Sequence, residues 1–206
     1  MSTIEIDVER LRVDYPKRFE KEVERWAEYA WEPCYADHII DDLCAMAEEL
    51  GISIDSKDVE WTLSYSQGDG LGFKARVRLA DWMKVKRYDE KYPALWVVAD
   101  VDNDAISVGC YNRGHHMHCS AGLNYDHVAP IGIFKGLSEE TFSALVTEQY
   151  AELDPARLGL EDCESLAHEA YESIRAEYEY QTGAEGFVSW ALAHDVFFEV
   201  DPDSEV

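Results

Sequence analysis

The chain has 206 residues, with 43 Asp and Glu against 18 Lys and Arg, so its formal net charge is −25 at pH 7. A charge of this size argues against direct binding to nucleic acid or to an anionic membrane. Because 47% of the residues are hydrophobic, the chain is expected to bury a core of single-domain size. The sequence contains no run of 18 apolar residues, so no membrane span is predicted.

Residues 1–51 are predicted to form a helical hairpin. Apolar residues recur at helical spacing from Phe19 to Ala30, with charged residues between them, which indicates one amphipathic helix. Pro33 ends that pattern because proline disfavours helical geometry at the residue before it. A second helix is predicted over 35–50, and Gly51 is placed to take the left-handed conformation that often terminates a helix.

Residues 52–135 are predicted to form an antiparallel β-meander of four to five strands. The alternating segments that indicate strands are 61–65, 73–79, 95–101, 105–111 and 115–123. The first two flank a glycine-rich stretch and the next two flank Asp102-Asn103, so each pair is expected to form a hairpin. Residues 81–93 are interpreted as a solvated loop with a basic patch formed by Lys84, Lys86, Arg87 and Lys91.

Residues 136–206 are predicted to form acidic helices, because they contain 18 carboxylates and two cations. Ser138 is expected to cap a helix that ends before Pro155, and Glu residues in its first turn favour the positive end of the helix dipole. The longest helix is predicted over 160–181, and a short helix follows over 184–193.

The predicted fold class is α+β, with the whole chain as one domain over 1–206. The antiparallel meander of 52–135 lies between the N-terminal helical hairpin and the acidic helices of 136–206, and an edge strand is added over 196–200. The five scattered cysteines contain no CxxC pair and are expected to be reduced thiols in a cytoplasmic protein. The N-terminus has neither the basic nor the apolar region of a signal peptide.

A glycine-rich loop joins the first two predicted strands. It consists of Ser66, Gln67, Gly68, Asp69 and Gly70. Gly68 and Gly70 are expected to take positive φ, and Asp69 is expected to bond nearby amides, so a tight turn accounts for the motif. A phosphate-binding role is disfavoured, because Asp69 would repel an anion and the loop precedes a strand where a phosphate cradle precedes a helix.

This loop also carries a resemblance to a known group of proteins. The matching pieces are 64–70, Phe73, 175–182 with its Glu-Tyr-Glu-Tyr segment, and 197–199. Together they resemble a family of small proteins encoded in bacteriophage genomes, whose biochemical function is not established. The resemblance implies a phage or prophage setting and therefore the cytoplasm of a host bacterium.

The acidic helix over 160–181 is the principal predicted interaction surface. Rows of carboxylates on a helix imitate the charge of nucleic acid and attract DNA-binding grooves. The sequence and the resemblance together predict an accessory protein of anti-CRISPR or anti-restriction type that binds a basic host protein or ribonucleoprotein complex. No cofactor is expected, enzymatic activity is disfavoured, and a homodimer stays open. The carboxylates expected to bind the partner are Glu161, Glu164, Glu169, Glu172, Glu177 and Glu179.

Two alternatives stay open. The first is a small metal-dependent or Cys/His enzyme that combines the Gln67/Asp69 loop with the histidine-rich strand, in which His116, His118 and Cys119 are the secondary metal candidates. On a strand, His116 and His118 point to one face and Cys119 to the other, which weakens a shared metal site. The second alternative is an antitoxin that binds a basic toxin. No P-loop, GxSxG or HExxH motif is present.

Overall fold

The computed structural model describes residues 3–63, 69–101, 106–113, 116–123 and 129–201. Within these residues the chain divides into two compact units, each with its own buried core. The first unit combines residues 3–38 with 173–201, and the second is Ile39–Glu172. Helices together with an antiparallel sheet confirm the predicted α+β class. None of the helices in the described part of the chain combines the length and the apolar surface needed to cross a bilayer.

The first unit is built mainly from helices around an aromatic core. Its elements are β1 (Ile4–Ile6), α1 (Val8–Asp14), α2 (Pro16–Ala27), a 3₁₀ turn (Pro33–Ala36), the C-terminal part of α8 (Pro155–Thr182), α9 (Ala184–Ala193) and β8 (Phe198–Val200). Phe19, Trp26 and Phe187 pack in this core, and the Trp26 indole donates a 2.7 Å hydrogen bond to the Gln181 carbonyl. The predicted edge strand forms as β8, but it pairs with β1 in a separate two-stranded sheet.

The second unit contains a four-stranded sheet and the helices packed on it. Its elements are α3 (Asp37–Glu49, from Ile39 onward), β2 (Ile52–Ile54), a 3₁₀ turn (Ser56–Asp58), β3 (Glu60–Thr62), β4 (Gly70–Gly72), β5 (Lys74–Val77), α4 (Leu79–Val85), α5 (Tyr88–Lys91), α6 (Pro93–Val101), β6 (Ile106–Arg113), β7 (His116–Leu123), a 3₁₀ turn (Gly132–Phe134), α7 (Glu139–Leu153) and the N-terminal part of α8. The sheet order is β2-β5-β6-β7, and all pairs are antiparallel.

The strand pairing corrects the predicted first hairpin. The sequence predicts that 61–65 pairs with 73–79, but β3 pairs with β4 in a small separate sheet, with Trp61 opposite Leu71. β5 instead pairs with β2 and β6 in the four-stranded sheet. Alternation located β3 and β5 but could not identify their partners, since pairing depends on residues distant in sequence.

The prediction of a strand over 95–101 is wrong, because these residues belong to α6. Its buried residues are Ala94, Leu95, Val98 and Ala99, which is the spacing of a helix that buries one face. Pro93 lies in the first turn, where its missing N–H costs nothing. Packing therefore overrode the strand propensity of the Trp-Val-Val run. The predicted charged loop over 81–93 is also wrong, since α4 and α5 occupy most of it.

Several predicted helix ends are confirmed. Ser138 caps α7, where its hydroxyl accepts a hydrogen bond from the Thr141 amide, and α7 ends at Leu153, with Asp154 as its C-cap residue directly before Pro155. α3 ends at Glu49, and Gly51 has φ +74°, the left-handed geometry expected after a helix. A Cβ on Gly51 would lie 2.7 Å from the Trp82 amide nitrogen, so α4 starts against this glycine.

Candidate functional site

α8 is held against the sheet of the second unit by small and apolar side chains. Cys163, Leu166, Ala167 and Ala170 are buried along its inner side. A Cβ on Gly159 would lie 3.3 Å from a Val77 methyl group and 3.4 Å from a Val108 methyl group, so helix and sheet approach closely there. This inner stripe fixes the rotation of the helix, and hence which residues face solvent.

The opposite side of α8 carries the predicted carboxylates. Glu161, Glu164, Glu169 and Glu172 are all exposed. At about 100° per residue, these four positions fall within an arc of about 140°, centred opposite the buried stripe. They span about 16 Å along the helix axis at about 1.5 Å per residue. We call these four residues the acidic face.

Two further predicted carboxylates lie in the part of α8 that belongs to the first unit. Glu179 is exposed and forms an ion pair of 3.0 Å with Arg175, four residues earlier. Glu177 is half-buried and accepts a 2.7 Å hydrogen bond from the Gln181 side-chain amide.

The carboxylates of the second unit are partly offset by cations that the sequence analysis assigned to a loop. Lys86 forms a 2.8 Å ion pair with Asp162, which also accepts a 2.7 Å hydrogen bond from the Trp82 indole. Lys91 lies 3.2 Å from Glu152. On the acidic face itself, Arg157 pairs with Glu161. The positive charges of Lys86 and Lys91 therefore make the surroundings of α7 and α8 less negative than a count over residues 136–206 alone indicates.

The structure describes only Asp69 and Gly70 of the glycine-rich loop Ser66–Gly70. Ser66, Gln67 and Gly68 lie outside the described residues, so their predicted roles stay predictions. Asp69 is half-buried directly before β4 and has an interaction partner. The expected positive φ of Gly70 is wrong: it lies in β4 with an ordinary backbone conformation, opposite Thr62, and a Cβ there would meet no atom within 4 Å.

The histidine-rich strand is β7, and its side chains alternate between exposed and half-buried as predicted. His116 and His118 are exposed, while Met117 and Cys119 between and beyond them are half-buried and pack on the core of the second unit. The His118 ring lies beside Tyr111, its partner across the sheet, with ring centroids 5.9 Å apart. Because Cys119 points to the other face, the strand does not bring the three metal candidates together. The described residues contain no cluster of three or more His, Cys, Asp or Glu side chains suited to a metal ion.

Three cysteine thiols meet beneath α8, an arrangement that the sequence analysis missed. Cys110 in β6 and Cys119 in β7 lie directly opposite each other, with Sγ atoms 3.0 Å apart. A hydrogen bond to Cys163, together with burial, raises the pKa of Cys110 well above its usual range. Burial raises the pKa of Cys119 to about 12. Both thiols are therefore protonated at neutral pH, which disfavours Cys119 as a catalytic nucleophile.

Comparison with known proteins places the chain in a family. No curated protein and no solved structure matches it. The family model described as "Domain of unknown function (DUF8835)" matches residues 35–184, a span that includes the four-stranded sheet, the acidic face and the three thiols. Because this match covers well over half of the 206 residues, the chain belongs to the DUF8835 family.

Proposed function

We propose that the protein is a phage-encoded accessory protein that inhibits a host nucleic-acid-handling defence complex of CRISPR or restriction type. Its acidic face occupies a basic groove that otherwise holds DNA or RNA. The phage setting is supported by the resemblance of the Ser66–Gly70 motif and the Glu-Tyr-Glu-Tyr segment, and the place of action is the host cytoplasm. The partner is a basic protein or ribonucleoprotein, and the chain does not bind nucleic acid itself.

The observation that carries this proposal is the exposed row of four carboxylates on one helix. Four charges over about 16 Å correspond to one charge per about 5.5 Å. One strand of duplex DNA carries a phosphate per about 3.4 Å. The acidic face is therefore a less dense line of charge than a DNA strand, and it covers the length of about five base pairs. A groove that contacts a few successive phosphates matches this length.

The rest of the molecule adds a background field of the same sign. With a formal charge of −25, the whole chain attracts a basic surface from beyond the contact distance and repels competing nucleic acid. At 0.1 M salt the Debye length is about 10 Å, so this attraction is screened progressively as salt rises. Binding through the acidic face is therefore expected to weaken steeply with salt, mainly through slower association.

The test is a charge-neutral replacement of the acidic face. Glu161→Gln, Glu164→Gln, Glu169→Gln and Glu172→Gln together delete four charges and retain side-chain size and helix propensity. A matched control replaces Glu9, Glu20, Glu24 and Glu28, which are exposed on α1, on α2 or directly after it, by Gln. Both variants carry a formal charge of −21 in place of −25. They differ in where the charge is lost.

Each protein is immobilised and incubated with nuclease-treated lysate of a bacterial host, and bound proteins are eluted with rising salt. Captured proteins are then purified and titrated with a DNA duplex as competitor. At about 0.3–1 kcal/mol per exposed charge, the acidic-face variant is expected to bind roughly 10- to 1,000-fold more weakly, while the control retains its affinity. The duplex is expected to displace the unmodified protein.

Two results would contradict the proposal. Full binding by the acidic-face variant with unchanged salt dependence would show that these carboxylates make no contact. Simultaneous binding of the duplex and the protein to the same partner would show that the protein does not occupy a nucleic-acid groove. Circular dichroism of both variants checks that the fold is retained.

A further inference from the structure

The three thiols beneath α8 form a cluster that the proposed function does not use. Cys110 and Cys163 are fully buried, and Cys119 is half-buried. The Sγ of Cys110 lies 3.0 Å from that of Cys119, and the interaction with Cys163 is the largest cause of the raised pKa of Cys110. Two cysteines elsewhere in the chain, Cys34 and Cys44, stand in α3 or in the 3₁₀ turn before it.

We propose that Cys110 and Cys119 are a disulfide-forming pair, oxidised by a small peroxide, with Cys119 as the thiol that reacts first. The two residues are direct partners in the antiparallel β6–β7 register. Direct partners in such a pair have Cα atoms about 4.5–5.5 Å apart, which lies within the range of about 4.4–6.8 Å found across disulfides. The bond therefore requires side-chain rotation and no change in strand register.

The reaction balances with hydrogen peroxide as the oxidant. The Cys119 thiolate attacks one peroxide oxygen; an S–O bond forms, the O–O bond breaks, and the leaving hydroxide takes up a proton to become water. The resulting sulfenic acid is attacked by the Cys110 sulfur. The S–S bond forms, the S–O bond breaks, and a second water leaves with the Cys110 proton. Two thiols are oxidised and one peroxide is reduced to two waters.

Exposure decides which thiol starts the reaction. Cys119 is the one member of the cluster with solvent access, since Cys110 and Cys163 are fully buried. Because burial raises the pKa of Cys119 to about 12, oxidation at neutral pH is slow. Because this pKa lies above 9, the thiolate fraction and hence the rate are expected to rise about tenfold for each pH unit up to pH 9.

Position decides which partner completes it. Cys119 and Cys110 face each other across one strand pair with Sγ atoms 3.0 Å apart, whereas Cys163 stands on α8. A sulfenic acid on Cys119 therefore meets Cys110 first.

The sequence makes the pair easy to identify by peptide mapping. Arg113 separates Cys110 from Cys119, and Lys135 and Arg157 separate Cys119 from Cys163, so trypsin places the three thiols on three peptides. The experiment uses the full chain with Cys34→Ser and Cys44→Ser, which removes the two cysteines outside the cluster. The folded protein is treated with hydrogen peroxide at pH 7 and at pH 9, alkylated in denaturant, digested and analysed by mass spectrometry.

The expected product is one pair of linked peptides that joins Cys110 to Cys119, with an intact mass lower by two hydrogen atoms and restored by dithiothreitol. The pair should form about 100-fold faster at pH 9 than at pH 7. In a Cys163→Ala variant the same pair should form. In a Cys119→Ser variant Cys110 should stay reduced. Protein oxidised in urea serves as the reference for random pairing among the three thiols.

Three outcomes would overturn the inference. One is a Cys110–Cys163 link as the main product of the folded protein. Another is a mixture of links equal to that obtained in urea. The third is a folded protein whose Cys110 and Cys119 stay reduced, or reach only sulfinic acid, under conditions that give disulfides in urea. Because these readouts come from the parent protein, they do not depend on whether the Cys119→Ser variant folds.

Discussion

Gly51→Ala is expected to destabilise the Ile39–Glu172 unit by about 2–4 kcal/mol. Gly51 has φ +74°, and an L-residue in that geometry costs about 1–2 kcal/mol. The new Cβ would also lie 2.7 Å from the Trp82 amide nitrogen and 2.9 Å from the Asp81 Cβ, so the start of α4 must move. Such overpacking costs about 1–3 kcal/mol more. Alanine also lowers the entropy of the unfolded chain, which offsets about 0.5–1 kcal/mol of this loss.

Two other glycines of the same unit separate the two causes. Gly132 has φ +58° but open space around it, so Gly132→Ala isolates the backbone cost and is expected to lose about 1 kcal/mol. Gly70 has neither feature, and since glycine weakens a strand relative to alanine, Gly70→Ala is expected to gain about 0.5–1 kcal/mol. The expected loss of stability is therefore largest in Gly51→Ala and smaller in Gly132→Ala, and Gly70→Ala is expected to be stabilised.

Urea unfolding followed by circular dichroism and tryptophan fluorescence measures the series. For a chain of this size, a loss of 2–4 kcal/mol lowers the melting temperature by roughly 5–15 °C. Equal losses in Gly51→Ala and Gly132→Ala would show that the contact with α4 adds nothing. If Gly70→Ala loses as much stability as Gly51→Ala, the reasoning is refuted, because Gly70 has neither positive φ nor a close contact.

Two further predictions concern buried and half-buried groups of the same unit. The Gln149 side-chain oxygen accepts hydrogen bonds of 3.0 Å from the amides of Ala94 and Leu95 at the start of α6, so Gln149→Met should cost about 1–3 kcal/mol in chemical unfolding. Gln149→Glu retains the acceptor next to the positive helix end and should cost less; equal costs would contradict the cap. The raised pKa values of Cys110 and Cys119 keep both thiols protonated in the folded state while the unfolded thiols ionise, so their stabilisation is complete below about pH 9 and is lost as pH rises toward 12. Stability measured from pH 8 to 10.5 should fall less steeply in Cys119→Ser, and parallel curves would contradict this.

Local signals predicted the helix ends that neighbouring residues determine. The Ser138 cap, the break before Pro155 and the glycine after α3 are each set by residues next to one another in sequence, and the structure confirms all three. The exposed side of α8 was predicted for the same reason. Its rotation follows from helical spacing of the apolar residues that end up buried, such as Leu166 and Ala170.

Contacts distant in sequence account for what the sequence analysis missed. α6 was predicted as a strand because its Trp-Val-Val run favours strands, but the amide groups at its start are satisfied by Gln149 from α7, 54 residues later. The partner of β3 was misassigned because alternation does not encode pairing. The thiol cluster joins β6, β7 and α8, and no spacing rule along the chain links Cys110 to Cys163.

The buried stripe and the acidic face lie on opposite sides of α8, which separates the functional test from the packing of the helix. The contacts that hold the helix on the sheet run through Gly159, Cys163, Ala167 and Ala170, and none of them involves the four carboxylates opposite. Their replacement by Gln leaves these contacts intact, and of the ion pairs described above it removes the one between Arg157 and Glu161, worth about 0.3–0.5 kcal/mol at an exposed helix site. Relief of repulsion in a chain of charge −25 acts in the opposite direction. A loss of binding in that variant, with the fold retained by circular dichroism, would therefore report on the partner interface.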